Sequence, residues 1–266
     1  MLPVIVQKTL TPALLLTLEC LAVSSPDTMP VVITDADLPP GTRCKRYPAA
    51  PFLNRPGMPK FPFMSPNKFA GWDFIRWFVL RDWWQETCPG EPILAIDHDI
   101  LLFRGWENVL SRILEGAAAV LDELSGTLFL NQRGPLDRFC AWAWRACRDP
   151  SARSRLLARA TLSGWSVSDM TFWELFFHET REPWSRLMCP DLGWVFDHNL
   201  LCSDGLITDP VDGRTMKRLE FLPGGVVRGF LEKGETPVRL FSAHCASQTP
   251  GRTHMRSLLD RYRATM

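Results

Sequence analysis

Asp97 and Asp99 stand two residues apart inside Ile93-Leu94-Ala95-Ile96-Asp97-His98-Asp99-Ile100-Leu101-Leu102-Phe103, where every other residue except Ala95 and His98 is Ile, Leu or Phe. An apolar run of this kind suits a strand buried on both faces of a sheet. Two carboxylates inside it are costly to bury unless something positive lies on them. The pattern therefore places both acids at the strand's exit, at the carboxyl edge of the sheet, holding a cation. The competing reading is a solvated strand-to-turn corner, where Asp is common; the apolar runs on both sides favour the cation.

Hard divalent cations prefer carboxylate oxygens, and an added imidazole shifts the preference toward Mn²⁺ or another transition metal. His98 lies inside the acidic triplet and points away from its neighbours if the chain is extended. His178 falls mid-helix, His198 follows Asp197 in a strand or turn, and His254 starts the last helix. His244 is the one placed like the acids. It ends an apolar strand (Val238, Leu240, Phe241) and precedes a turn-like Ser247-Gln248-Thr249-Pro250-Gly251. In a parallel-type sheet two such strand ends converge on one edge, where ligands bind.

The elements that must position these groups can be taken in order. Pro3–Val6 reads as a strand, Thr11-Pro12 opens a helix through about Val23, and Met29–Thr34 is a second strand, the usual opening of a parallel sheet. Asp35-Ala36-Asp37 follows, a turn first and a nucleotide contact second. Between Leu38 and Trp72 no residue is acidic, and Arg43, Lys45, Arg46, Arg55, Lys60 and Lys68 are basic. A loop this long suits either a basic lid for a phosphate-bearing ligand or a solvated excursion. Lys68 to about Glu86 has helical spacing, and Asp73 and Arg76 on it could pair. A helix follows Gly105, then strands at Ala117–Leu121 and Gly126–Asn131 and a helix at Pro135–Cys147. Arg145, Arg148, Arg153, Arg155 and Arg159 read as a solvated helix face, with contact to a phosphorylated acceptor or anionic membrane surface as the minority alternative. Ser168 is placed to cap a helix running to about His178. Strands at Trp194–Phe196, Arg218–Leu222 and Val238–Ala243 extend the sheet before a basic terminal helix.

The 266 residues, 46% hydrophobic and 22% charged with net charge +1, describe an ordinary globular chain and give no global pull toward nucleic acid. No window approaches the roughly 18 apolar residues of a membrane span, and Ala13–Leu16 reads as a helix start rather than a secretory leader. The eight cysteines form no Cys-x-x-Cys pair, so they are expected as reduced thiols in a cytoplasmic protein. Eleven Trp against two Tyr fits core packing and sugar-stacking surfaces alike.

In their order, several of these features resemble the nucleotide-sugar-dependent glycosyltransferases of the GT-A type. The matching residues are Asp35 and Asp37 after the first strand–helix–strand, the helix around Asp73 and Arg76, Ala95–Leu102, Ser168–Thr171, Phe196–Asn199 and the late His244. The resemblance implies one α/β, Rossmann-like domain over 1–266, with a mostly parallel central sheet and helices on both faces. Its nucleotide-binding half would cover about 1–104 and its acceptor half about 105–266. It implies that Asp99 binds Mn²⁺ or Mg²⁺ directly, that Asp97 contacts ribose or metal, and that His244 completes the site. Asp73 and Arg76 would lie near the nucleotide, with Asp35 a further contact, and Asp169 would face the transferred sugar or acceptor. Asp169 would act as base in an inverting reaction and position the sugar in a retaining one. The donor implied is a nucleotide diphospho-sugar, UDP-sugar favoured, and the acceptor a carbohydrate. Many relatives carry a glycine and then a lysine after the late His; the run here, His244 to Arg252, has no lysine, and Gln248 or Arg252 would have to serve instead. A metal-dependent phosphohydrolase or nucleotidyltransferase, and a non-catalytic nucleotide-sugar-binding protein, stand as alternatives.

Overall fold

The apolar run around the paired acids is two strands in two sheets. In a computed structural model of the protein, Ile93–Ile96 joins the first sheet and Ile100–Leu102 the second, with the acidic triplet between them. The structure describes residues 1–59, 70–113, 117–121, 124–163, 168–197, 199–245 and 249–266.

The chain opens with β1 (Leu2–Val6), α1 (Pro12–Ser24), β2 (Val31–Ile33), β3 (Lys45–Tyr47), α2 (Ala50–Leu53), α3 (Ala70–Thr87), β4 (Ile93–Ile96) and β5 (Ile100–Leu102). It continues through α4 (Trp106–Leu110), β6 (Ala118–Leu121), β7 (Leu124–Leu130), α5 (Gly134–Arg148), α6 (Pro150–Ser163) and α7 (Asp169–Thr180). Two short strands, β8 (Ser185–Arg186) and β9 (Met188–Cys189), lead to β10 (Trp194–Phe196) and the hairpin β11 (Thr208–Val211) and β12 (Arg214–Lys217). β13 (Glu220–Leu222), β14 (Val226–Phe230), β15 (Pro237–His244) and α8 (Thr249–Arg263) complete it.

The first sheet has the order β3-β2-β1-β4-β7-β6-β8. Its pairings are parallel except on the two sides of β7, which runs against β4 and β6. This is the expected mostly parallel α/β sheet. Period-two alternation buries both faces: Val4, Val31, Ile33, Ile93 and Ala95 pack in one core with α3, α5 and α7, while Ile5, Val32, Leu94 and Ile96 face the other core. That second core also holds α1, α8 and the inner residues of the second sheet. Thr11 caps α1 by accepting the Leu14 N–H at 3.1 Å, as its place before Pro12 leads one to expect.

The C-terminal strands do not extend the central sheet, contrary to expectation. They build a second one, β13-β14-β15-β10-β9, with β5 paired on β15. Every pairing there is antiparallel except β10 with β15. A buried strand's alternation does not say which sheet it joins, and the break at Asp97–Asp99 lets the chain change sheets.

Candidate metal centre

That change of sheet builds the site. The Asp97 N–H donates to the Gly126 carbonyl at 2.9 Å, one residue beyond β4, so Asp97 stands at the end of the first sheet's ladder. β5 then pairs antiparallel with β15 in the register His244↔Ile100, Ala243↔Leu101 and Ser242↔Leu102, and the Cys245 N–H donates to the Asp99 carbonyl at 2.9 Å. His244 and Asp99 are thus neighbours across an antiparallel ladder. The expected convergence holds, but not through two parallel strand ends. From α1 the Thr17 hydroxyl clamps the turn by donating to the His98 carbonyl at 2.9 Å.

One ligand atom each from Asp97, Asp99 and His244 lies within 4.8 Å of the others. The His244 Nε2 is 3.3 Å from Asp99 Oδ1. His98 stands outside this set. An added Cβ at Gly126 would sit 3.4 Å from His244 Cε1 and 3.5 Å from Asp97 Oδ2, so the glycine keeps open the space these groups border. Two carboxylates and an imidazole around such a space fit a small divalent cation. Burial alone would raise the Asp99 carboxyl, but the hydrogen bond and charge of His244 bring it below the ordinary value. Asp97 is raised by burial and by Asp99, against the pull of Arg76.

Arg76, on α3, ties the metal side to α7. One guanidinium nitrogen, Nη1, bonds Asp97; Nη2 and Nε donate to Asp169 Oδ2 at 2.5 and 3.1 Å. The Trp77 indole N–H reaches the same oxygen at 2.9 Å, and the guanidinium lies over the Trp77 ring at 4.9 Å. Asp169 opens α7 and is 4% exposed, and its other oxygen accepts the Met170 N–H at 3.0 Å. Ser168 holds the N-cap position, but its hydroxyl makes no cap bond among the described residues. The sequence suggested an Asp73–Arg76 pair on one helix; the Arg76 hydrogen bonds instead reach across the fold. No spacing rule signals a partner 93 positions away.

Asp73 is pushed up to about 6, by burial first and then by the charges of Asp169 and Asp97, with Arg76 opposing. Its folded value exceeds its unfolded one, so its contribution to stability is present below about pH 4 and lost as the pH rises through about 6. Asp73→Asn is therefore expected to raise stability by about 1–2 kcal/mol at pH 7.5 and by little at pH 4.5. Urea midpoints of variant and parent at those two pH values check this; equal differences at both would count against it.

Asp35 follows β2 at the sheet edge shared with Asp97. Its Oδ1 accepts the Ala49 and Ala50 N–H groups, both at 2.9 Å, at the start of α2. Among the described residues of the basic segment before α3, three arginines bond to their neighbours. Arg43 bonds the Ala22 and Pro26 carbonyls, Arg46 pairs with Asp37 at 3.1 Å, and Arg55 pairs with Glu86 at 2.5 Å. Those three arginines tie the segment to adjacent elements; Lys60 and Lys68 lie outside the described residues. On α5 and α6, Arg148 stacks on Trp144 and Arg155 bonds Glu179 at 2.9 Å. Gln248 and His198 are outside the described residues.

No protein-family model matches the sequence, and no curated protein matches it either. Among solved structures the chain is similar to the galactosyltransferase LgtC in complex with donor and acceptor sugar analogues, at 12% identity and TM-score 0.49, covering 100% of both chains. It is similar to an active-site mutant of LgtC at 12% identity and TM-score 0.36, covering 53% of this chain and 63% of that one. Mouse xyloside xylosyltransferase 1 aligns at 12% identity and TM-score 0.42, over 70% of this chain and 84% of its own.

Proposed function

We propose that the protein is a metal-dependent glycosyltransferase, moving a sugar from a nucleotide diphospho-sugar, UDP-sugar favoured, to a carbohydrate acceptor. The observation that carries this reading is the Asp97–Asp99–His244 cluster, with Arg76 and Asp169 beside it at the edge where one sheet hands the chain to the other. Asp97, Asp99 and His244 would hold Mn²⁺ or Mg²⁺, the imidazole favouring Mn²⁺. Bound there, the cation supplies positive charge to a diphosphate leaving group.

The residues around it have separate parts. Arg76 holds Asp97 and Asp169 in fixed geometry. Asp169, already accepting from Arg76, Trp77 and Met170, is better suited to position the sugar than to take a proton, which agrees with a retaining reaction. Asp73 and Asp35 are the proposed nucleotide-side residues. The buried free thiols Cys140 and Cys147 support placement in a reducing cytoplasm, and no helix among the described residues is long and apolar enough to cross a membrane.

Incubation with a panel of nucleotide sugars and Mn²⁺ tests the reading. The expected result is slow release of free nucleoside diphosphate from one donor. Silence across the panel alongside cleavage of simple phosphate esters would establish the phosphohydrolase instead. Tight donor binding without turnover, acceptors included, would establish a binding protein.

A further inference from the structure

Behind His244, on the side away from Asp99, lies a buried ionic cluster of Lys217, Asp197 and Asp204, of which only Asp197 belonged to the residues that carry the resemblance. The Lys217 side chain is 0% exposed. Its Nζ donates to Asp197 Oδ1 at 2.5 Å, to Asp204 Oδ2 at 2.6 Å and to the Asn199 carbonyl at 3.0 Å. An ammonium has three N–H groups, and all three are used. Burial would lower the Lys217 pKa, but Asp197 and Asp204 outweigh it and raise it.

Asp197 is equally buried, and its two oxygens face different ways. Oδ1 takes the Lys217 ammonium while Oδ2 accepts the His244 backbone N–H at 3.0 Å. The Ser242 hydroxyl accepts the Asp197 N–H at 2.8 Å, locking the carboxylate's own backbone to β15. The His244 carbonyl accepts the Leu200 N–H at 3.0 Å, and the Leu200 carbonyl accepts the Lys217 N–H at 2.9 Å. Both main-chain polar groups of His244 are thus held by the segment that Lys217 organises. The pairing of β10 with β15 shifts register between Val195 and Phe196, and next to that shift the Asp197 carboxylate takes the place of a strand partner. A buried ion pair is a poor way to gain stability alone, since apolar side chains of similar volume do as well or better. Holding a neighbour in one geometry is the better-attested use.

We propose that Lys217 is a positioning residue for the metal centre: it fixes the Asp197 carboxylate, which holds the His244 main chain so that the imidazole meets Asp99 and the cation. This rests on the metal-site reading above. The test measures Mn²⁺ affinity without any donor, from the electron paramagnetic resonance signal of free Mn²⁺, in the parent, Lys217→Met, His244→Ala and the double variant, each well below its thermal midpoint. Lys217→Met is expected to weaken Mn²⁺ binding about tenfold or more. On the His244→Ala background it should change the affinity less than twofold, because its effect passes through that imidazole. A lowered thermal midpoint with Mn²⁺ affinity within twofold of the parent would make Lys217 a purely structural residue and overturn the proposal. If Lys217→Met does not fold, Asp204→Asn removes one of the two carboxylate charges on the Lys217 ammonium at a partly exposed position and is expected to weaken Mn²⁺ severalfold; unchanged affinity overturns the proposal equally. Failure of the parent itself to bind Mn²⁺ would sink the metal site as a whole, an outcome distinct from an unmoved variant.

Discussion

Asp99→Ala is expected to abolish Mn²⁺-dependent turnover of the nucleotide-sugar donor, with a loss of roughly 10³-fold or more. Asp99 is the most enclosed of the three ligand candidates, 4% exposed, and its Oδ1 is 3.3 Å from the His244 imidazole. Its carboxyl is held below the ordinary value despite burial, so it stands ionised at neutral pH and offers a full charge to a cation. Charge stabilisation by a metal at a diphosphate leaving group is worth several kcal/mol, and each 1.4 kcal/mol is about tenfold in rate. Asp99→Asn separates charge from shape: it keeps the volume beside Ile100 and His244 but should lose nearly as much turnover as Ala. Steady-state rates across a Mn²⁺ titration, for parent and both variants, make the measurement. Turnover of Asp99→Ala within threefold of the parent would remove Asp99 from the metal site.

The position of that carboxylate was legible because burial is intolerant. A charge breaking an apolar run has few places to go, so Asp97 and Asp99 could be put at a strand's exit, and His244 at the end of another, from residue types alone. What alternation does not encode is the partner strand. Ile100–Leu102 looks the same whether it continues β4 or crosses to pair with β15, and the second sheet was missed for that reason. The long-range ties were hidden too. Arg76 had a carboxylate three residues away at Asp73, and local spacing favours such a pair; its hydrogen bonds to Asp97 and Asp169 follow from tertiary packing. Lys217, between Met216 and Arg218 in a polar hairpin, carries no sign of burial. The hairpin itself did have one: Asp212-Gly213, both with positive φ (48° and 76°), is the two-residue turn signal that joins β11 to β12.

Arg76→Ala is expected to cost the metal-free protein on the order of 3–5 kcal/mol, the range for breaking a buried charge pair from one side. For a chain of this length that lowers the thermal midpoint by about 10 °C. The cause lies in what remains. Asp169 and Asp97, with side chains 5% and 22% exposed, would face each other and Asp73 with their common cation gone. Two signatures distinguish this from a simple packing loss. Asp73 and Asp97 are already raised, with Arg76 pulling both down; without it they rise further, so the variant should recover stability as the pH falls from 7.5 toward 5, where protonation relieves the repulsion. Mn²⁺ should also stabilise the variant more than the parent, if the ion restores positive charge next to Asp97. Arg76→Lys keeps the charge, but its single ammonium cannot fork to both acids, so it should fall between. Thermal midpoints of the three proteins at two pH values, with and without Mn²⁺, carry the comparison. A midpoint for Arg76→Ala within 2 °C of the parent at pH 7.5 would mean that water or a neighbouring group already neutralises these acids, and the cross-link from α3 to both site carboxylates would lose its energetic role.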